Sequence, residues 1–173
     1  MTLVKCQKVQ YMILAWQEET YLLSFHFRVI TRIIATNRFL HILGITDSPQ
    51  CGFCNIHIEN IVHLFWECEH TQAFIERVKH QVFRNFHMTL NVTKTHWFFP
   101  TLENLKQIEI IIITIAKVVI YKAKRNQQKS TLQHFLAALC LEAQKEYDHA
   151  IRYDKLRKFN DKWGQVQVAR LWN

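Results

Sequence analysis

Apolar residues recur at helical intervals along most of the chain. Between residues 21 and 43 they follow the i, i+3 and i+4 spacing of a single helix face. The residues on that face are Phe25, Val29, Ile30, Ile33 and Ile34. Thr36 and Asn37 are suited to begin a short second helix, because such side chains cap free backbone amides, and Gly44 is suited to end it. The pattern predicts two helices in this region.

A third amphipathic helix is predicted after residue 69. Its apolar side chains again share one helical face. They are Phe74, Ile75, Val78, Val82 and Phe83. Residues 85–100 lose this period and end at Pro100, which predicts a linker or a short extended segment.

Two long helices are predicted in the second half of the chain. The first runs from about 102 to 126 with Thr101 as its cap, and its β-branched middle is ambiguous because isoleucine and valine also favour strands. The second opens at Ser130, which forms a capping-box pattern with Gln133, and extends as far as Trp163. Its predicted inward residues are Leu132, Phe135, Leu136, Leu139, Ala143, Tyr147 and Ile151.

Composition supports an all-α fold, because the 173 residues include only 3 glycines and 2 prolines. We predict a lead-in at 1–20, a helical module at 21–90 and a helical region at 91–173 that consists mainly of two long helices. The apolar run IIIITIA is far shorter than the roughly 20 residues that span a bilayer, so no membrane partner is expected. A formal net charge of +8 suits a polyanionic partner.

Three of the five cysteines fall between residues 51 and 68. Cys51, Cys54, His63 and Cys68 form the pattern C-x2-C-x8-H-x4-C. Two cysteines separated by two residues can hold one zinc ion from a tight turn, in which Gly52 would ease the backbone, and the second pair completes a tetrahedral set. Because no position remains for water, the zinc would be structural.

Alternative interpretations of this cluster remain open at this point. Reduced cysteines are often buried as small apolar residues, and His63 would then be an ordinary histidine. His57 and His70 are rival ligands. The N-terminus lacks a signal peptide pattern, so we expect an intracellular and reducing compartment, in which clustered cysteines favour metal binding over disulfides.

Three sequence blocks carry a resemblance to a known family. They are YLLSF at 21–25, TRIIATNRFLHILGITDSPQCGFC at 31–54 and ENIVHLFWEC at 59–68. In this order they resemble the zinc-binding region that follows the reverse transcriptase domain in non-long-terminal-repeat retrotransposon polyproteins. The resemblance continues more weakly through 115–126 and 155–163.

The resemblance implies an accessory module that holds template RNA or target DNA for a reverse transcriptase, with that polypeptide as a second partner and the nucleus or cytoplasm as its location. It also implies Cys51, Cys54, His63 and Cys68 as the zinc ligands. No aspartate pair of the Y-x-D-D kind occurs, so the chain is expected to be non-catalytic and to take no small-molecule substrate.

Basic residues near the cluster and on the first long helix are the candidate phosphate contacts. They are Arg28, Arg32, Arg38, Lys117, Lys122, Lys124, Arg125 and Lys129. Phe53 lies between two ligands, where an aromatic ring could stack on an unpaired base, whereas Trp66 is better explained by packing. The alternative is a retrotransposon-derived structural or protein-interaction domain, which predicts an exposed apolar surface.

Overall fold

The computed structural model describes residues 20–166 apart from 102 and 104, so most of the predicted lead-in lies outside the described residues. The described part of the chain is mostly helical, and no β-strand occurs in it. Its α-helices are α1 Thr20–Ile30, α2 Asn37–Ile42, α3 Glu69–Phe86, α4 Lys94–Phe98, α5 Gln107–Arg125, α6 Leu132–Arg152 and α7 Leu156–Trp163. A π-helical turn, His63–Glu67, precedes α3, and a 3-10 turn, Gly164–Val166, follows α7. The predicted all-α fold class is confirmed.

The central element of the fold is α5, which α1, α3, α6 and α7 all contact. Every residue from Ile110 to Ile120 is buried. The run is a helix because it is far longer than an ordinary strand and has apolar neighbours on several sides. The predicted start at Thr101 is wrong: Leu105 N donates to Thr101 O at 3.0 Å in a separate turn, and the helix begins at Gln107.

The second long helix is shorter than predicted. It begins one residue later than expected, after Thr131, whose Oγ1 accepts from His134 N at 3.2 Å. It ends at Arg152 because Asp154 has a left-handed backbone, with φ of 53°. This break turns α7 back onto α6, and the rings of Tyr147 and Phe159 lie 5.3 Å apart. The predicted continuous helix to Trp163 is therefore two helices.

The first three predicted helices are present, with corrections at their ends. Thr36 caps α2, with Oγ1 accepting from Phe39 N at 3.4 Å, and Gly44 follows its end with φ of 69°. Ile33 and Phe83 are exposed although their spacing predicted burial, and so is Ile151 on α6. All three lie in the last turn of a helix or just past it, where few core residues remain to cover a side chain.

The segment between α3 and α5 is partly extended, in agreement with the predicted loss of helical period. His87 ends α3 in a left-handed conformation with φ of 52°. Met88, Leu90 and Val92 are then buried at alternate positions, as in an extended chain. Thr93 caps the short α4, and the side chain of Trp97 on this helix is buried in the core. One hydrophobic cluster contains residues from Leu22 to Val166, and the predicted boundary after residue 90 stays a prediction.

Lys117 is fully buried in this core, so the expectation that it contacts phosphate is wrong. Its Nζ donates to Nδ1 of His26 at 2.9 Å and to the carbonyl of Trp97 at 2.9 Å. Burial lowers the pKa of Lys117 to about 7. Burial and the nearby Lys117 hold the pKa of His26 well below its usual range. The pair therefore links α1, α4 and α5 through a neutral histidine.

The stability of the fold is expected to rise with pH because of Lys117. From about pH 7 to 10.5 the unfolded chain binds a proton that the folded chain releases. Between pH 7 and 9 this difference amounts to about 2 kcal/mol of unfolding free energy. We expect Lys117→Met to lose this rise in urea unfolding curves, whereas Lys122→Met, an exposed change on the same helix, keeps it. Equal slopes in all three proteins would contradict the prediction.

Candidate metal centre

Cys51 and Cys54 are presented by a tight turn between Gln50 and Ile58. An isolated antiparallel bridge joins those two residues, and Cys51 N donates to His57 O at 2.8 Å. Asn55 provides the left-handed residue of the turn, with φ of 55°. A β-carbon at Gly52 would meet only the Asn37 side chain at 4.0 Å, so glycine is not required there. The residue that eases the backbone is Asn55 and not the predicted Gly52.

His63 and Cys68 are brought together by the π-helical turn. Cys68 N donates to His63 O at 2.9 Å, an i to i+5 hydrogen bond. His63 N is held in turn by Oδ1 of Asn60 at 2.9 Å. Cys68 then occupies the N-cap position of α3. The predicted short turn is therefore present. Because a π-helical turn contains about one residue more than an α-helical turn, it brings His63 and Cys68 to the same side.

The four predicted ligands converge on one point. Their ligand atoms, three Sγ and one imidazole nitrogen, all lie within 4.8 Å of one another. Cys51 Sγ is 3.9 Å from Cys68 Sγ, and Cys54 Sγ is 3.4 Å from Nε2 of His63. A tetrahedral zinc with ordinary bond lengths requires edges of about 3.8 Å between two sulfurs and about 3.6 Å between sulfur and nitrogen. The cluster is therefore close to the geometry of a four-coordinate zinc site.

Neither rival histidine joins the ligand group. The ring of His57 lies beside that of His63, with 5.3 Å between centroids, and His57 is exposed. Nε2 of His70 lies 3.7 Å from the Glu69 carboxylate, on the first turn of α3. Both histidines are neighbours of the site and not part of its tetrahedron.

The electrostatics of the cluster fit a cation. Burial raises the pKa of Cys51 to about 12 and raises that of Cys68. For Cys54 burial acts in the same direction, but hydrogen bonds from the His57 and Ile56 amides and from the Cys51 and Cys68 side chains together outweigh it and lower the pKa. Burial also lowers the pKa of His63, so its ring is a neutral donor. Three thiolates cannot share this space without a divalent ion to stabilise them.

The site defines the protein as a zinc-stapled helical module. Three sulfurs and one nitrogen are the donor set that zinc prefers in closed structural sites. The zinc site compensates for the small number of buried side chains around it. Between residues 36 and 62 the only buried side chains are those of Thr36, Cys51 and Glu59. A zinc ion bound here would therefore supply much of the stability of this segment.

Glu59 is a functional residue that the sequence did not single out. Its buried carboxylate accepts from Asn37 N at 2.7 Å and from Gly52 N at 3.3 Å. It also pairs with Lys124 Nζ at 3.1 Å. Glu59 thus joins the start of α2, the metal-binding turn and the end of α5. Its position between an isoleucine and the Asn60 cap gives only a weak signal, because two of its three partner atoms, on Asn37 and Lys124, lie far away in sequence.

The predicted phosphate contacts occupy two kinds of environment. Six of them are exposed. These are Arg28, Arg32, Arg38, Lys122, Arg125 and Lys129. Lys124 differs, because its side chain is only 8% exposed and its Nζ also donates to Ala35 O at 2.8 Å. Its charge is paired with Glu59 inside the protein and is not presented to a phosphate.

The two aromatic residues between the ligands are both half-buried. Phe53 packs against the hydrophobic core, as does Trp66. The Trp66 ring lies 5.8 Å from that of Trp97, which agrees with its predicted packing role. Phe53 is less available for base stacking than its position in the sequence suggested.

Comparison with known families agrees with the site. Residues 1–74 match the family model described as zinc-binding in reverse transcriptase, and this range contains all four ligands. This segment is therefore similar to the zinc-binding domains associated with reverse transcriptases. No curated protein and no solved structure matches the chain significantly. Among the described residues, no helix has the length and apolar character needed to cross a membrane.

Proposed function

We propose that the chain is a nucleic-acid-binding accessory module of a non-long-terminal-repeat retrotransposon reverse transcriptase. It positions template RNA or target DNA and performs no catalysis itself. The filled ligand set supports a structural ion, since a catalytic zinc keeps one position for water or substrate. The retrotransposon assignment rests on the order of the three sequence blocks. The proposed partners are RNA or DNA and the reverse transcriptase polypeptide, in the nucleus or cytoplasm.

The observation that carries the proposal is the meeting of basic residues where α1 packs against α5. Arg28 lies over the Phe25 ring at 6.0 Å, and Phe25 in turn packs 5.8 Å from Tyr121. Lys122 lies over the Tyr21 ring at 5.7 Å. These contacts place Lys122 of α5 against α1, the helix that also carries Arg28, so exposed charges from two distant segments share one interface where they can follow a phosphate backbone.

The link between α5 and the segment after α1 extends this basic surface. The hydrogen bond from Lys124 to Ala35 holds the end of α5 against residues 31–36. Arg32 belongs to that segment, Arg125 is the last residue of α5, and Lys129 follows in the next loop. We define the basic surface as Arg28, Arg32, Arg38, Lys122, Arg125 and Lys129. Lys124 is left out of it because its charge is already paired with Glu59.

Binding to nucleic acid is expected to weaken steeply with salt. Six phosphate contacts would release enough counterions to reduce the affinity roughly a thousandfold between 50 and 200 mM salt. The double variant Arg28→Gln, Arg125→Gln should lower the slope of log K against log salt by about 2. Fluorescence anisotropy with labelled single-stranded RNA and duplex DNA measures both quantities.

Arg84→Gln is the matched control, because Arg84 is also exposed in the last turn of a helix, on α3. It should leave the slope unchanged. No binding at 50 mM salt, or an equal effect of the control, would overturn the proposal. Stronger binding to one of the two nucleic acids would identify the natural partner.

A further inference from the structure

α2 lies on the protein surface with an unusual share of apolar residues. None of its six residues is buried. Apolar side chains are exposed on it and on the two loops that flank it in space. We define this apolar face as Phe39, Ile42, Leu43, Ile45, Ile56 and Ile58, each of which exposes at least 41% of its surface. An exposed cluster of this kind marks an interaction site more often than an ordinary surface.

Backbone contacts hold the parts of the apolar face together. Arg38 N donates to Glu59 O at 3.2 Å, which places the start of α2 beside Ile58. Asn37 Nδ2 donates to Gln50 O at 2.7 Å, and Gln50 pairs with Ile58 across the metal-binding turn. Ile45 N donates to Leu40 O at 2.9 Å, so the loop after α2 stays against the helix. The metal-binding turn and α2 therefore present one fixed surface.

The chemistry of the apolar face favours a protein over nucleic acid. Five of its six side chains are aliphatic, whereas unpaired bases are bound by stacking on aromatic rings. Between residues 28 and 58 the acidic and strongly basic side chains are three arginines and Asp47. Of these, Arg38 belongs to α2 and is exposed one helical turn before Ile42, so a positive charge borders the apolar face. A complementary partner therefore has an aliphatic centre and acidic edges.

We propose that the apolar face docks an amphipathic helix of another polypeptide, with aliphatic residues towards Ile42 and Leu43 and acidic residues towards Arg38. A second copy of this chain is a poor occupant, because each copy carries a formal charge of +8. The mode is that of an amphipathic helix lying on an apolar surface, in which residues three and four apart provide the contacts.

The test uses the full zinc-loaded chain and a synthetic helical peptide with leucine on one face and glutamate on the other. A peptide of the same composition in scrambled order is the reference. We expect the ordered peptide to bind and the double variant Ile42→Gln, Leu43→Gln to weaken binding at least about tenfold. The control Leu141→Gln, Ile151→Gln removes two apolar residues from α6 that are also more than half exposed, and it should bind normally.

Both double variants alter exposed side chains, so zinc content and helicity should stay at the values of the original protein. The variants keep every arginine, and nucleic-acid binding should therefore be unchanged in them. Equal binding of ordered and scrambled peptides would overturn the proposal. So would self-association, or binding to phosphatidylserine vesicles, that depends on Ile42 and Leu43 while the ordered peptide fails to bind.

Discussion

Chelation of zinc is expected to unfold the region between residues 36 and 68 and to leave much of the α5 and α6 core helical. The region has only three buried side chains between 36 and 62, so the metal replaces a hydrophobic core there. Structural zinc in small peptide domains contributes about 10–16 kcal/mol of apparent binding free energy. Metal analysis should find one zinc per chain, and circular dichroism should show a partial loss of helix on chelation.

Cys51→Ser is expected to reproduce the effect of chelation, because Cys51 is fully buried and contributes one corner of the tetrahedron. Cys140→Ser is the matched control, since Cys140 is a free thiol on α6 outside the cluster. The control should keep its zinc and its helicity. Retention of zinc by Cys51→Ser, or no change in helicity when zinc is lost, would show that the cluster is packing and not a staple.

Breaking the buried ion pair between Glu59 and Lys124 is expected to produce the second large effect. Both side chains are almost completely buried, at 0% and 8% exposure. Removal of one partner from a buried pair leaves an uncompensated charge and costs about 3–5 kcal/mol of unfolding free energy. Lys124→Met should therefore destabilise the fold strongly in urea unfolding curves.

Glu59→Gln should also weaken zinc binding, roughly tenfold to a hundredfold, because the carboxylate orients Gly52 beside the first ligand. Competition with a zinc-sensitive dye measures this affinity. The double variant Glu59→Gln, Lys124→Met should cost less than the sum of the two single changes, since no charge is left unpaired in it. Additive costs would mean that the two residues act independently.

Glu76→Gln on α3 is the control for this experiment. Its carboxylate lies 2.8 Å from Lys79 Nζ, but the two side chains are 64% and 28% exposed. Solvent screens such a pair, so its loss should cost less than about 1 kcal/mol. A similar loss for Glu76→Gln and Lys124→Met would show that burial does not determine the effect.

The parts of the structure that depend on local chemistry could be predicted from the sequence. The spacing of Cys51, Cys54, His63 and Cys68 reflects how far a short turn can reach around one ion, and the structure brings these four residues together. The cap at Thr36 and the stop at Gly44 follow from side-chain oxygens and backbone freedom within a few residues.

The parts that depend on distant partners could not be predicted. Lys117 and Lys124 look alike in sequence to exposed Lys122, and they are buried because His26 and Glu59 lie opposite them in the folded chain. Local periodicity shows one apolar face, but it does not show that α5 is covered on several sides. The helix break at Asp154 could not be predicted, because no glycine or proline marks it in the sequence.

The π-helical turn between His63 and Cys68 has a consequence for how homologous chains can differ in length. Loss of one residue from this stretch would restore an α-helical turn and rotate His63 by about 100° relative to Cys68. Insertions near Asn55 and Ile56 would only lengthen an exposed loop. Relatives that retain the zinc site should therefore vary in length between the second cysteine and the histidine, while the four residues before the last cysteine stay fixed in number.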